Sequence, residues 1–446
     1  MNEAAQTIRD AALPLEGSAA DFNAVIERSA GARVVLLGEA SHGTHEFYAA
    51  RAEITRRLIT ELGFHAVAAE ADWPASWRVN QYVKGANGDG AASDALAGFK
   101  RFPQWMWRNS DMLDFTGWLR DHNDSRRDVL TRPGFYGLDL YSLNESMRAV
   151  LDYLKRVDPV AARSFSHRYS CFDHFGGDTQ RYGLFTGTGI SKGCEEEVVG
   201  ALAELRRRRG NYLALDGLAA EDAFFNAEQN ALVVAGAENY YRTMLRGDVA
   251  SWNLRDRHMM DSLLALITHL DKRHGTSRVV VWAHNSHIGN ASATQMGRRG
   301  EFNIGQLARE HFGSDAVLIG FTTFAGTVTA ASEWDAPVER KIVRPALQHS
   351  CERLFHDTGI PKFWLDFSKH AEAAELLRHP LLERAIGVIY RPESERQSHY
   401  FTASVSGQFD ALFHFDETRA VEPLERTGIW EADGAAEIDE TYPSGL

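Results

Sequence analysis

Short runs of branched apolar residues alternate along the chain with stretches of helical period. Eight runs read as buried strands: 34–37, 65–69, 134–138, 279–282, 316–321, 362–365, 385–390 and 409–415. They are too short for helices and rich in Val, Ile and Phe. Several end on polar groups: 65–69 runs into Glu70, 134–138 into Asp139, and 362–365 into Asp366. Amphipathic helical patterns separate many of them, which predicts an α/β fold, a three-layer α/β/α sandwich around a mostly parallel or mixed sheet. From Asn144 to Arg273 the pattern changes to long helical segments, such as Glu195–Arg209 and Asp222–Leu245, with few strand candidates. That stretch predicts a helical cap inserted between two strands of one catalytic domain spanning 1–446. From about 422 to 446 the chain is polar and acidic, with Pro423, Pro443 and Gly445, and is expected to hang loosely on the surface.

Composition narrows the function classes. Of 446 residues, 44% are hydrophobic and 24% charged, ordinary for a soluble globular protein. A net charge of -13 argues against nucleic acid or an anionic membrane as partner. The basic run Arg206–Arg209 would spread around the circumference of a helix and reads as a solvated face. Residues 1–20 lack a basic start followed by an apolar core, and no run approaches the roughly 18 to 20 apolar residues of a membrane helix. Cys171, Cys194 and Cys351 are far apart with no C-x-x-C spacing. That predicts neither a disulfide framework nor a zinc ribbon, and points to a cytoplasmic protein acting on a small molecule.

Two turns carry the candidate chemistry. Gly38-Glu39-Ala40-Ser41-His42-Gly43-Thr44-His45 follows one apolar run, and Ala283-His284-Asn285-Ser286-His287 follows another. In α/β proteins ligands sit where parallel strands end, so titratable groups there are candidates for a site. His42 is the candidate general base, because an imidazole accepts and returns protons near neutral pH. In the helical pattern after the first turn, Phe47, Ile54, Leu58 and Leu62 mark a buried face, and Arg51 falls on it. A guanidinium pointing inward needs a carboxylate, and Glu39 and Glu70 are available. A serine nucleophile is disfavoured: Gly38 stands three residues before Ser41, which breaks the G-x-S-x-G elbow. The aromatic stretch Phe99–Trp118, with Trp107 and Arg108, together with Asp139 and the polar loop Glu395–Phe401, with Gln397, Ser398 and Tyr400, are the candidate substrate-binding positions.

These residues resemble the erythromycin esterase family, hydrolases that open the macrolactone ring of macrolide antibiotics with water. The resemblance rests on Gly38–Thr44, the Glu70 strand end, Trp282–His287 and Glu395–Ser398, and spans about 34–424. It implies an α/β/α core with a helical insertion, related to a wider group with metal-dependent and haem-binding members. It further implies that His42 activates water, that Glu39, Arg51, Glu70, His284 and His287 complete the site, and that no metal or other cofactor is required. The stretches Trp107–Met112 and Ser251–Asp256 look more like members whose natural substrates are undefined.

The resulting expectation is hydrolysis of a carboxylic ester, foremost a lactone, with macrolide resistance as one possible role. In that scheme Glu39 or Glu70 orients His42, while Arg51, His284 and His287 polarise the carbonyl. Two alternatives stay open: a metal-dependent hydrolase or peptidase using the same rim, and a binding or biosynthetic accessory protein without turnover.

Overall fold

The computed structural model describes residues 2–432 apart from 177, 215–216 and 245–246. Its strands are β1 (Leu13–Pro14), β2 (Val34–Leu37), β3 (Ala66–Asp72), β4 (Gly134–Asp139), β5 (Val279–Trp282), β6 (Ala316–Ala331), β7 (Val338–Val343), β8 (Lys362–Asp366), β9 (Leu381–Arg384), β10 (Tyr400–Ala403) and β11 (Ala411–Thr418). One mixed sheet runs β1-β8-β11-β6-β2-β5-β3-β4, with β7 alongside the outer part of β6. From β11 to β4 every pairing is parallel, whereas β8, β1 and β7 join antiparallel. The two strands β9 and β10 form a separate ladder.

Both faces of the central strands are covered, which is why their sequences read as unbroken apolar runs. Val35, Leu37, Val280 and Trp282 enter one core, and Val34, Leu36, Val279 and Val281 enter the other. The helix His45–Leu62 packs Phe47, Ile54 and Leu58 into the first core and stops at Gly63, whose φ of 67° is the left-handed helix cap that glycine adopts without strain. Between β4 and β5 the described chain is helical from Leu143–Val157 to Asp248–His274, and encloses its own core around Phe165, Tyr182, Leu205 and Phe224. Among the described residues no helix is long and apolar enough to cross a membrane.

Three expectations need correction. Cys171 and Cys194 form a disulfide inside the helical insertion, 23 residues apart in sequence but with Cα atoms 6.0 Å apart, because the chain turns back through the helix Thr179–Gly187 and brings the turn Ser170–Phe175 beside the start of the helix Glu195–Arg207. The cysteine argument for a reducing compartment therefore falls. The run 385–390 is irregular chain, and the strand lies just before it at β9; Ala385, Gly387 and Val388 line a cavity instead. The tail expected to be loose from 422 is anchored as far as Trp430. Pro423 bridges to Asn109, and the Trp430 indole N–H donates to the Thr329 hydroxyl at 2.9 Å. Residues 433–446 lie outside the described residues.

Candidate active site

Four parallel strands, β2, β5, β3 and β4, lie side by side and end at one edge. Glu39 and His42 follow β2, His284 and His287 follow β5, Glu70 sits near the end of β3, and Asp139 closes β4. The first two turns touch: the Asn285 N–H donates to the Glu39 carbonyl at 2.8 Å. At Gly38 a Cβ would stand 2.1 Å from Asn285 Oδ1, so only glycine lets the turns approach this closely.

Glu39 is the hinge of the first group. One carboxylate oxygen accepts from His42 Nδ1 at 2.9 Å and the other from Arg51 Nη2 at 2.5 Å. All three side chains are buried, Arg51 completely, with its guanidinium 4.6 Å from the Tyr48 ring centroid and 5.1 Å from that of Trp282. Since Nδ1 must carry the proton to donate to Glu39, the second ring nitrogen of His42, Nε2, is left as a bare acceptor.

Arg255 ties the second group together. It donates to Glu70 Oε1 at 2.6 Å, to both oxygens of Asp139 at 3.0 and 2.7 Å, and to His287 Nε2 at 3.1 Å. The other ring nitrogen of His287 donates to Asp256 at 2.9 Å, and the ring stacks on Trp252 with centroids 4.5 Å apart. Burial opposes charge on Glu70, yet His287, Arg255 and His42, with the His284 backbone N–H, hold its carboxyl far below the usual range. For His287 burial again opposes charge, but Asp256 and Glu70 outweigh it and raise the affinity of the ring for a proton.

His284 stands apart. Its Nδ1 lies 2.8 Å from the Ser286 hydroxyl and 3.2 Å from the Ser286 backbone N–H; with Nδ1 accepting from both, the ring proton sits on Nε2. That buried Nε2 makes no well-formed hydrogen bond among the described residues, although the Ala40 carbonyl lies near enough to the ring to offset part of the effect of burial. Burial, then the neighbouring His42, depress its pKa to about 3, so the ring stays neutral and keeps its donor. The His42 and His284 rings are neighbours, tilted by 49° with centroids 4.9 Å apart.

His42, Glu70, His284 and His287 line a cavity of about 340 Å³ whose far walls are aromatic, with Phe99, Trp107 and Trp252 among them. As metal ligands most of these nitrogens are already engaged: His42 Nδ1, His284 Nδ1 and both nitrogens of His287 have protein partners, which leaves only the Nε2 atoms of His42 and His284, and a guanidinium sits against His287. Among the described residues no three His, Cys, Asp or Glu side chains gather as a metal site requires.

Of the expected substrate positions, Trp107 and Asp139 line the cavity. Arg108, Gln397, Ser398 and Tyr400 do not. Arg108 pairs with Glu425, Gln397 and Ser398 sit on an exposed short helix, and the Tyr400 hydroxyl accepts from Arg384 and from the Leu347 N–H. Polar and aromatic composition alone misassigned them. Arg51 lies behind Glu39 and does not reach the cavity, so the oxyanion role expected of it fails; it anchors the carboxylate. His45 turns away to Asp111 and Arg419.

Sequence reasoning missed Arg255 and Asp256. On the helix Asp248–His274 they precede the buried Met259 and Met260 by four residues, so both charges fall on the core face. The criterion applied to Arg51 would have found them. Asp72, Arg101 and Tyr141 were also missed; they join the cavity from loops and strand ends with no period to betray them.

A model of the erythromycin esterase family matches residues 59–418 of this chain. The erythromycin esterase type II of Escherichia coli is 22% identical over 426 residues, covering 90% of this chain and 93% of its own length. A protein from Bacillus cereus of solved structure superposes with a TM-score of 0.78 at 18% identity, covering 95% of this chain and 99% of that one. A mutant erythromycin esterase solved in its open conformation superposes with a TM-score of 0.61 at 17% identity, covering 89% and 93%. At such identities the structural likeness speaks for the fold.

Proposed function

The chain belongs to the erythromycin esterase family, and from that premise we propose that it hydrolyses a carboxylic ester, foremost a lactone, with water activated by His42. The observation that carries the reading is the bare Nε2 of His42, backed by Glu39 and Arg51, in a cavity that His284 also lines.

In this scheme a water in the cavity gives its proton to His42 Nε2 while its oxygen attacks the ester carbonyl carbon. Glu39, held by Arg51, and Glu70, held by Arg255, stabilise the imidazolium that forms. Negative charge moves to the carbonyl oxygen, where the His284 Nε2–H donates to it. Collapse of the tetrahedral adduct breaks the carbon–alkoxide bond, and the proton stored on His42 passes to the departing oxygen. A lactone thereby becomes a hydroxy acid. A general base of this kind contributes about 100- to 10,000-fold in rate, and one oxyanion donor about 100- to 1,000-fold.

Erythromycin, the ester in the name of the Escherichia coli relative, is the natural first candidate, with antibiotic resistance as the role that substrate would imply. A mass-spectrometric screen of macrolides and simpler lactones for gain of one water tests the proposal. Turnover of at least one lactone supports it; ligand binding without any hydrolysed product contradicts it.

A further inference from the structure

His42 and Glu70 stand where the parallel strands end; the opposite edge, where β5, β3 and β4 begin side by side, collects positive charge instead. Arg278 and His65 immediately precede β5 and β3, His274 ends the helix Asp248–His274, Lys84 caps the helix Trp73–Val83, and Arg126 follows the helix Ser110–Asp124. All five side chains are half-buried, and the His65 and His274 rings lie together with centroids 4.1 Å apart. Burial first, then His274, Arg278 and Arg126, depress the pKa of His65 to about 4. Burial, then Arg273 and Lys84, depress that of His274 against the pull of Asp128 and Asp271.

Among the described residues Lys84, Arg126 and Arg278 form no ion pair. Lys84 donates to the Tyr136 hydroxyl at 3.0 Å, Arg126 to His122 Nε2 at 3.1 Å and to the Thr131 carbonyl at 3.0 Å, and the Arg278 guanidinium to backbone carbonyls. The carboxylates nearby are taken by other groups: Asp222 by Arg273 and His269, Asp124 by Arg120, Asp271 by Arg33 and Ser277, and Asp128 by the Leu130 N–H. Donors are left over. His65 Nδ1 accepts from the Arg278 backbone N–H at 3.1 Å, so its proton sits on Nε2. The bonds of Arg126 use Nε and Nη1, which leaves Nη2.

We propose that this edge of the sheet is an anion site whose ligand is a dianionic phosphate, free or as the monoester of a small molecule. A tetrahedral dianion presents oxygens in several directions, which suits donors arriving from several separate segments. It also cancels the repulsion that keeps the two imidazoles neutral, so both rings hold a proton more tightly once it binds. The net charge of -13 argues against a nucleic acid or an anionic membrane as the source of the phosphate. The site lies across the sheet from His42 and does not depend on the ester-hydrolase reading.

Inorganic phosphate is the probe, followed by nuclear magnetic resonance of histidine-labelled protein near neutral pH, with His65→Gln and His274→Gln assigning the two rings. Millimolar phosphate should move both signals saturably towards the imidazolium position, and chloride at the same ionic strength should not. Lys84→Met and Arg126→Met, each shown to be folded by circular dichroism, should weaken binding about 10- to 100-fold, the equivalent of one charge-assisted contact. Arg127→Met, which removes an exposed neighbouring charge, should leave it unchanged. Phenyl phosphate, run in parallel, distinguishes the sources: the same saturable shifts assign the site to a monoester, and shifts with inorganic phosphate alone assign it to the free ion. No saturable shift, an equal shift with chloride, or equal weakening by Arg127→Met overturns the site.

Discussion

Replacing Glu39 by Gln separates what holds this site together from what makes it react. The carboxylate is shared by His42 and a completely buried Arg51, whose Nε and Nη1 have no hydrogen-bond partner among the described residues. Gln keeps the shape but removes the charge, leaving a buried cation uncompensated. Breaking such a pair costs about 3–5 kcal/mol. The rings of Tyr48 and Trp282 retain part of the interaction, each worth about 0.5–2 kcal/mol, so the lower end, about 3 kcal/mol, is expected. The same change frees the tautomer of His42 and withdraws the partner of its charged form, so kcat should fall about 1,000- to 10,000-fold. Glu39→Gln/Arg51→Met then removes the orphaned cation and should recover most of the lost stability while remaining inactive. Urea unfolding and steady-state kinetics on the three proteins read both quantities. A double variant with activity restored, or a Glu39→Gln protein unfolding at the same urea concentration as the parent, is incompatible with a Glu39 carboxylate that both compensates Arg51 and orients His42.

Other consequences follow from His284 and from the group around Arg255. His284→Asn should lower kcat about 100- to 1,000-fold with little change in KM, and because His284 is neutral in the folded protein its loss should leave the inflections of the pH–rate profile where they were. Glu70 binds its proton more weakly folded than unfolded, so the stability it contributes is fully present above the unfolded glutamate value of about 4.3 and is lost as pH falls towards the folded value. The gap in unfolding free energy between the protein and Glu70→Gln should thus be widest above about pH 5 and shrink on acidification; a gap that widens contradicts the assignment. Dialysis against a chelator should leave ester turnover unchanged, since among the described residues no three His, Cys, Asp or Glu side chains gather as a metal site requires; metal-dependent recovery of lost activity would favour the metal-hydrolase alternative.

Much of this architecture is legible along the chain, for reasons that also explain the failures. The central parallel strands bury both faces, so 34–37 and 279–282 stand out as pure apolar runs, and the polar groups just past them mark the site edge. The apolar signal stops early in β6, which continues from Phe321 through a threonine-rich stretch to Ala331, and it misses β7, whose Glu-Arg-Lys interior belongs to a charged outer strand. Arg51 is visible because it breaks an apolar helical face, and Arg255 breaks another in the same way. By contrast, the basic cluster at the opposite edge is assembled from His65, Lys84, Arg126 and His274, four distant segments with no shared period, and only the folded chain brings them together.

In the proposed reaction His42 activates the water that cleaves the ester. The most direct measurement is turnover by His42→Gln, with circular dichroism and urea unfolding to establish that it folds as the parent does, on an ester that the parent hydrolyses in heavy-oxygen water. Parent protein should place the heavy label in the product carboxylate, and a folded His42→Gln should show turnover reduced at least 100-fold. A folded His42→Gln variant that hydrolyses the ester at the parent rate would contradict the account.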